Sequence, residues 1–194
     1  MARRLGIFGG TFDPPHTGHF IVAAEAAEVL QLDTVLLIPS GAPAHRPQRP
    51  GASPEQRLRM VQAGVADDRR FEVRDLEVQR EGPTYTIDTL RELRQREPDA
   101  ELVLLLGIDQ FRKFSTWREP DRVAELATLA VLSRDGETAD TSGAYGPLSV
   151  PVTRIDISGT LVRRRVAERK SIRFYVPDAV RNIIEVEKLY MGSE

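Results

Sequence analysis

The sequence predicts an α/β fold with one doubly wound parallel sheet and helices on both of its faces. Short, nearly all-apolar runs alternate along the chain with longer amphipathic segments, which is the pattern of successive βα units. The runs at residues 34–38 and 101–106 are apolar almost throughout, as strands covered on both faces should be. A length of 194 residues suffices for a single sizeable core. We therefore predict one Rossmann-like domain over residues 1–194, with a helical part at about 155–190 that completes its ligand site.

The individual elements follow from apolar spacing and from end signals. Strands are predicted at residues 5–8, 34–38, 71–78, 101–106 and 128–132. Helices are predicted at residues 17–30, from Ser53 onward, and at 84–96, 120–126, 160–168 and 177–189. The helix after Ser53 has proline in its first position and Gln56 closing a capping box. Residues 39–52 are predicted to be a proline-rich loop, and residues 135–151, rich in Gly, Ser, Thr and Asp, a mobile surface connection.

Composition excludes several classes of protein. The 27 basic and 29 acidic residues nearly balance, so no overall field draws the chain toward nucleic acid or a membrane. The absence of cysteine removes disulfides, thiolate metal sites and a cysteine nucleophile. The apolar stretch near the N-terminus is interrupted at Gly9 and Gly10, too early for a signal peptide or a spanning helix. We expect a cytoplasmic protein, and the sequence leaves open whether it is a monomer or a homo-oligomer.

The loop after the first predicted strand carries the strongest functional signal. Gly9 and Gly10 let backbone amides approach a ligand closely, and the helix starting near Thr17 directs its positive end into the same loop. His16 and His19 are three residues apart around that helix start, so both rings can face one phosphate group. Gly18, between them, carries no side chain that would block the approach. The pattern indicates a phosphate site with charge-stabilising donors.

A metal pair is the alternative for His16 and His19, but the neighbouring sequence supplies no obvious third ligand. Asp13 and Pro14 are expected to shape the turn. The chain contains neither the Gly-x-x-x-x-Gly-Lys pattern of P-loop kinases nor the Gly-x-Gly-x-x-Gly pattern of Rossmann dehydrogenases.

Residues 9–19, Gly-Gly-Thr-Phe-Asp-Pro-Pro-His-Thr-Gly-His, resemble the signature of the HxGH nucleotidyltransferase superfamily. The resemblance implies transfer of a nucleotidyl group from a nucleoside triphosphate, with direct attack of the acceptor phosphate and release of pyrophosphate. We expect Mg²⁺ to be held mainly by phosphate oxygens of the triphosphate and by water, because the ion prefers oxygen ligands and the sequence shows no dedicated carboxylate cage. The resemblance also implies ATP contacts from Gly9, Gly10, Thr11, Phe12, His16, Gly18 and His19.

A second segment, Ile157-Ser-Gly-Thr-Leu-Val-Arg163, is similar to the superfamily's other ATP motif. Ser158 is a plausible N-cap, and Thr160 and the first-turn amides can hold phosphate oxygens. The guanidinium fork of Arg163 can clamp a polyphosphate, which makes Arg163 a catalytic candidate with His16 and His19. The usual motif has serine or alanine where this chain has Gly159, and we expect that change to loosen the helix start slightly.

The middle of the chain resembles bacterial nicotinate-nucleotide adenylyltransferases, and the likeness extends over residues 5–186. It implies that ATP and nicotinic acid mononucleotide are the substrates, with Gly107 and Asp109 at the adenylyl side and Asp109 near its ribose. It implies that Trp117 stacks on the pyridine ring and that Thr86 lies near the carboxylate. The mononucleotide-binding residues implied are His45, Arg46, Tyr85, Thr86, Trp117 and Arg134.

Some interpretations stay open from the residues alone. The only tryptophan lies in a polar stretch, which suits a flat ligand ring, although a ring anchored at the edge of the core would also fit. Ile108 and Arg118 depart from the residues common in that family, which affects the pyridine side and leaves the transfer chemistry intact. Nicotinamide mononucleotide is the nearest rival acceptor, and a non-catalytic nucleotide sensor is the rival from another class.

Overall fold

The computed structural model describes residues 2–43, 51–133 and 143–192. Its main sheet has six parallel strands in the order β4-β2-β1-β6-β7-β8. These strands are β1 (Arg4–Gly10), β2 (Thr34–Pro39), β4 (Phe71–Val73), β6 (Glu101–Gly107), β7 (Thr128–Ser133) and β8 (Leu148–Pro151). The chain winds outward from β1 in one direction and then returns to β6 on its other side. The strand order therefore reverses between β1 and β6, where a doubly wound sheet binds ligands.

Helices cover both faces of the sheet, as predicted. They are α1 (Thr17–Leu30), α2 (Pro54–Val65), α3 (Thr86–Arg96), α4 (Ile108–Phe111), α5 (Pro120–Leu126), α6 (Gly159–Ala167) and α7 (Asp178–Val186). Alternate residues of β2 join different cores: Leu36 packs in the cluster with α3 and α5, and Leu37 in the cluster with α1 and α2. Burial on both faces explains why the run is apolar throughout.

The C-terminal part forms a third cluster, in which α6 and α7 pack against α2 through residues such as Met60, Val162 and Ile184. The predicted helices at 17–30 and 120–126 have the predicted bounds, and Ser53 closes the capping box with Gln56. No helix among the described residues is both long and apolar enough to cross a membrane.

Several predicted elements were wrong in extent. The strand predicted at 71–78 ends at Val73, because only Phe71–Val73 pairs with β2. The described part of the predicted mobile connection contains β8, which pairs in parallel with β7 through Leu148–Pro151. Thr84, predicted as the first residue of a helix, instead belongs with Pro83 to β5, which pairs with β3 (Ala42–Pro43). The sequence does not predict these short strands, because each one forms by pairing with a strand that is distant in the sequence.

Candidate active site

The loop after β1 is shaped by a buried phenylalanine. Phe12 has a left-handed backbone, with φ of 50°, and its side chain is only 2% exposed. Its ring lies over Gly10, where an added Cβ would come within 3.1 Å of the ring. The same ring meets His19 edge-on, with the ring centroids 5.0 Å apart. The Phe12 ring thus packs against both Gly10 and His19.

His16 and His19 stack on each other at the start of α1, with their ring centroids 3.6 Å apart and an angle of 27° between the rings. The backbone N–H of His16 donates to Nδ1 of His19 at 3.1 Å. Because Nδ1 accepts a hydrogen bond, the neutral His19 ring carries its hydrogen on Nε2. The fold therefore sets the tautomer in which Nε2 can donate to an anionic oxygen.

Gly18 makes room for this stacked pair. A Cβ at this position would lie 3.1 Å from Ile155 and 3.2 Å from Nδ1 of His16. The missing side chain was predicted to clear the way for a ligand, and the structure adds that it clears the way for the His16 ring and for the segment before α6.

The first-turn amides of α1 are less available than the sequence suggested. The Thr17 N–H donates to the Tyr175 carbonyl at 2.9 Å, and the Thr17 hydroxyl donates to the Phe174 carbonyl at 3.1 Å. The His19 N–H donates to the His16 carbonyl at 2.9 Å. The helix start is therefore anchored to the C-terminal part of the chain, and the stacked imidazoles lie beside it as candidate donors to an anion.

Asp13 is the point at which distant segments meet. Its carboxylate is buried and accepts hydrogen bonds from the Gly51 N–H at 2.8 Å and the Ala52 N–H at 3.1 Å. The Tyr190 hydroxyl donates to it at 2.8 Å, and burial, followed by the neighbouring carboxylate, raises the pKa of Tyr190 above its usual range. The hydroxyl consequently remains a donor at neutral pH. Asp13 was predicted to shape its own turn, and the structure shows that its carboxylate joins segments that are distant in the sequence.

The second motif adjoins the same aspartate. The Ser158 hydroxyl caps α6 by accepting from the Leu161 N–H at 3.1 Å. Nη1 of Arg163 donates to the Asp13 carbonyl at 2.6 Å, and Nη2 donates to the Thr160 hydroxyl at 3.2 Å. The structure thus brings the two predicted ATP motifs together, with Arg163 as the link.

Gly159 has a role that differs from the expected one. A Cβ there would lie 2.8 Å from the Asp13 carbonyl oxygen and 3.3 Å from Nη1 of Arg163. The prediction that glycine loosens the helix start misses this close approach. Glycine lets α6 begin directly against the Asp13 backbone, which keeps Arg163 within reach of that carbonyl.

The predicted pyridine side is assembled from α3 and the segment after β6. Tyr85 occupies the N-cap position of α3, and Thr86 is its first residue. The Arg118 guanidinium covers the Tyr85 ring at 4.8 Å from its centroid, and it also lies 3.6 Å from an oxygen of Asp88. The structure therefore places the segment around Trp117 beside the start of α3, which the sequence could not decide.

Trp117 is half-buried, with its ring centroid 5.4 Å from that of Phe114. Phe114 itself is buried and contacts Tyr145 edge-on at 4.8 Å. One part of the indole thus rests on the core while another part stays open to solvent. The structure shows the contact at the edge of the core, and the stacking of Trp117 on a ligand ring stays a prediction.

Gly107 and Asp109 lie at the carboxyl end of β6. Nothing lies within 4 Å of the Cβ position of Gly107, so the space beside it is open. Asp109 belongs to the short helix α4, and its side chain is 84% exposed with Arg112 at 3.2 Å. An exposed carboxylate at the strand end is compatible with a ligand hydroxyl, and its role stays a prediction.

Three predicted mononucleotide ligands, His45, Arg46 and Arg134, lie outside the described residues. Within the ranges that the structure does describe, no three or more His, Asp or Glu side chains form a group suited to a metal ion.

Sequence reasoning missed Arg57 and Tyr190, which bind backbone and Asp13 around the first loop. No local pattern marks either residue, because an arginine on a helix and a tyrosine near a chain end are usually surface residues.

Comparison with known proteins agrees with this arrangement. A family model described as cytidylyltransferase-like matches residues 7–165, which defines the class of protein as a nucleotidyltransferase. The curated relatives include proteins of Thermomicrobium roseum and Thermus thermophilus, each named "Probable nicotinate-nucleotide adenylyltransferase". They are 44% identical to this chain, over 98% of it and 93% of the first protein, and over 96% of it and 99% of the second. The chain therefore belongs to the cytidylyltransferase-like family and, within it, groups with the nicotinate-nucleotide adenylyltransferases.

A solved structure of the Plasmodium falciparum nicotinic acid mononucleotide adenylyltransferase, complexed with NaAD, has the same fold. It aligns over 97% of both chains with a TM-score of 0.80, although only 17% of the residues are identical. The similarity confirms the predicted doubly wound architecture.

Proposed function

We propose that this chain transfers the adenylyl group of ATP to nicotinic acid mononucleotide, giving nicotinic acid adenine dinucleotide and pyrophosphate. The observation that carries the proposal is the stacked pair of His16 and His19, in a loop after β1 whose Asp13 carbonyl also accepts from Arg163. Relatives that share 40–44% of their residues with this chain are named for that reaction. Together these supports favour catalysis over a nucleotide sensor, since a sensor has no need of charge-stabilising donors.

The reaction needs no covalent enzyme intermediate. An oxygen of the acceptor phosphate attacks the α-phosphorus of ATP, and the bond from that phosphorus to the β-bridging oxygen breaks as pyrophosphate leaves. Negative charge grows on the oxygens around the α-phosphorus and on the leaving group. Catalysis then depends on positioning and on donors aimed at that charge.

The geometry supplies such donors on two sides of the loop. Nε2 of His19 is the hydrogen-bearing nitrogen in the tautomer that the His16 N–H selects. Arg163 presents a guanidinium that is fixed at one edge by the Asp13 carbonyl. We assign His19 and Arg163 to the stabilisation of phosphoryl oxygens. We assign the same role to His16, whose ring stacks on that of His19.

ATP would enter as its Mg²⁺ complex. Mg²⁺ prefers oxygen ligands and keeps several waters, so phosphate oxygens and water can hold it without a protein cage. Among the carboxylates near the site, Asp13 is already engaged by Gly51, Ala52 and Tyr190. We therefore propose that the ion is bound by the substrate and that the protein binds the phosphates.

The acceptor side rests on Trp117, Thr86 and Tyr85, with His45, Arg46 and Arg134 as further proposed phosphate ligands. Trp117 has an aromatic surface open to solvent that can stack on a pyridine ring. Thr86 is the first residue of α3, so its amide and hydroxyl lie at the positive end of an 11-residue helix. A carboxylate on the pyridine ring is more favourable there than a neutral amide.

The test is a turnover assay with Mg²⁺-ATP and either nicotinic acid mononucleotide or nicotinamide mononucleotide, with the dinucleotide products resolved chromatographically. Preference for the acid is the expected result. Preference for the amide would keep the chemistry and overturn the acceptor assignment. ATP binding without product from either acceptor would favour a sensor.

A further inference from the structure

Arg57 is a charged residue of α2 with 0% of its surface exposed. Its Nη1 donates to the Thr11 carbonyl at 2.6 Å, and its Nη2 donates to the Gly41 carbonyl at 2.9 Å. Nε lies 3.4 Å from the Ala52 carbonyl. One guanidinium therefore ties together the loop after β1, the chain just beyond β2 and the residue before the α2 cap.

The bond to Thr11 sets the direction of a backbone donor. In a planar trans peptide the C=O and the following N–H point in opposite directions. Because the Thr11 carbonyl points inward to Arg57, the Phe12 N–H points outward, away from α2. Phe12 also has a left-handed backbone, a conformation found in backbone nests that bind anions.

The position of Gly41, the second carbonyl that Arg57 binds, is also constrained. A Cβ at Gly41 would lie 2.2 Å from the Glu77 carbonyl oxygen, so only glycine fits this position. Asp13 fastens the same segment by accepting from the Gly51 and Ala52 N–H groups. The loop that carries the histidines is thus fastened by both a buried guanidinium and a buried carboxylate.

A simple stabilising role explains this arrangement poorly. Burying a cation incurs a large desolvation cost, and replacing buried charged groups by well-packed apolar ones is often neutral or stabilising. Three backbone acceptors from separate segments instead suit a planar, multidentate fork, which lysine lacks.

We propose that Arg57 is a positioning residue for adenylyl transfer, which fixes the peptide between Thr11 and Phe12 so that its N–H is aimed at the polyphosphate of ATP. Arg57 does not touch substrate and acts through the loop. The inference rests on the proposed function for its kinetic consequence, while its structural consequence can be measured without turnover.

The experiment compares Arg57→Met and Arg57→Lys with a control variant, Val61→Ala. The control removes buried apolar atoms one turn further along α2, in the core cluster with α1 and α2. Steady-state kcat and KM are measured well below each melting temperature, together with backbone hydrogen exchange of peptides covering residues 9–19. A loop misplaced by about 1 Å can cost ~10²-fold in rate. We expect a fall of about 10- to 100-fold in kcat for Arg57→Met, a smaller fall for Arg57→Lys, and less than twofold for Val61→Ala. Exchange in residues 9–19 should rise only in the two Arg57 variants.

Unchanged kcat and unchanged exchange in a folded Arg57→Met protein would overturn the proposal. If Arg57→Met does not fold, Arg57→Lys decides it, since lysine keeps the charge but lacks the fork that reaches both Thr11 and Gly41, and wild-type exchange in residues 9–19 of that variant would overturn the proposal. An inactive wild-type protein would contradict the proposed function instead, and the exchange comparison would still test Arg57.

Discussion

The two sides of the candidate site are built differently. On the ATP side, the loop after β1 and the start of α6 are joined by hydrogen bonds that converge on Asp13, including those from Gly51, Tyr190 and Arg163. On the acceptor side, Trp117 and Tyr85 are partly buried rings at the edge of the core, with Phe114 beside Trp117 and the Arg118 guanidinium over Tyr85. Charge that develops at phosphorus calls for fixed donors, whereas recognition of a flat ring needs mainly a surface. We expect substitutions on the ATP side to lower turnover, and those on the acceptor side to weaken affinity.

The largest effect is expected for His19→Ala. Loss of a transition-state donor should lower kcat by ~10²–10³-fold while the KM for the acceptor changes little. His19→Gln is the matched control, since its amide can donate from near the position of Nε2, and it should retain more activity than alanine. Steady-state kinetics with a thermal melt for each protein make the comparison. Near-normal turnover of a folded His19→Ala protein would remove His19 from the mechanism.

Gly159→Ala tests how tightly the two ATP motifs are joined. The added Cβ would lie 2.8 Å from the Asp13 carbonyl oxygen, which must move and weaken its bond from Arg163. Overpacking of this kind should lower the free energy of unfolding by ~1–3 kcal/mol and raise the KM for ATP. The control is Gly107→Ala, where nothing lies within 4 Å, so its stability should be nearly unchanged. Equal stability of Gly159→Ala and the wild type would show that the junction tolerates displacement.

Trp117→Ala sharpens the comparison from the acceptor side. Loss of ring stacking should raise the KM for the mononucleotide about tenfold and leave the KM for ATP near its original value. Phe114→Leu is the partner variant, because Phe114 is buried and supports the tryptophan. We expect Phe114→Leu to lower the melting temperature more than it changes either KM. A large loss of stability in Trp117→Ala without a change in KM would favour a core anchor.

The smallest effect is expected on stability, from a change at Glu77, whose backbone carbonyl lies against Gly41. Burial raises the pKa of Glu77, against hydrogen bonds from Thr89 and Thr84 that favour its charged form. A pKa raised by folding means that the folded protein binds the extra proton, so its stability is lost as pH rises above the unfolded value of about 4.3.

Glu77→Gln removes this titration. The wild type should therefore lose stability relative to Glu77→Gln as the pH rises from about 4 toward neutral, by roughly 1 kcal/mol for each unit by which the pKa is raised. Chemical denaturation of both proteins across that pH range measures the difference. A constant difference would show that Glu77 titrates alike in the folded and unfolded chains.

Local sequence was enough for the elements whose signals are local. The apolar run that became β2, the capping box at Ser53 and Gln56, and the helical spacing of residues 17–30 each depend on neighbours a few positions away. The strand β8 and the short helix α4 were missed because each has only four residues, too few to show a period, and β8 is defined by its pairing with β7. The same limit explains why the available amides at Thr17 were overestimated, since its acceptors come from residues 174 and 175.

The sequence by itself determined the class of fold, because the alternation of apolar and amphipathic runs is a local signal. It also predicted two phosphate-binding segments from the glycine and histidine spacing of residues 9–19 and from the likeness of residues 157–163 to a known motif. Only the tertiary structure decided that Asp13 binds residues 51, 52 and 190, that Gly159 must be small, and that a buried Arg57 supports the loop. Those contacts join residues between 38 and 177 positions apart. No periodicity reports such a pairing, since the burial that makes each contact strong exists only after the sheet and the C-terminal helices have packed together.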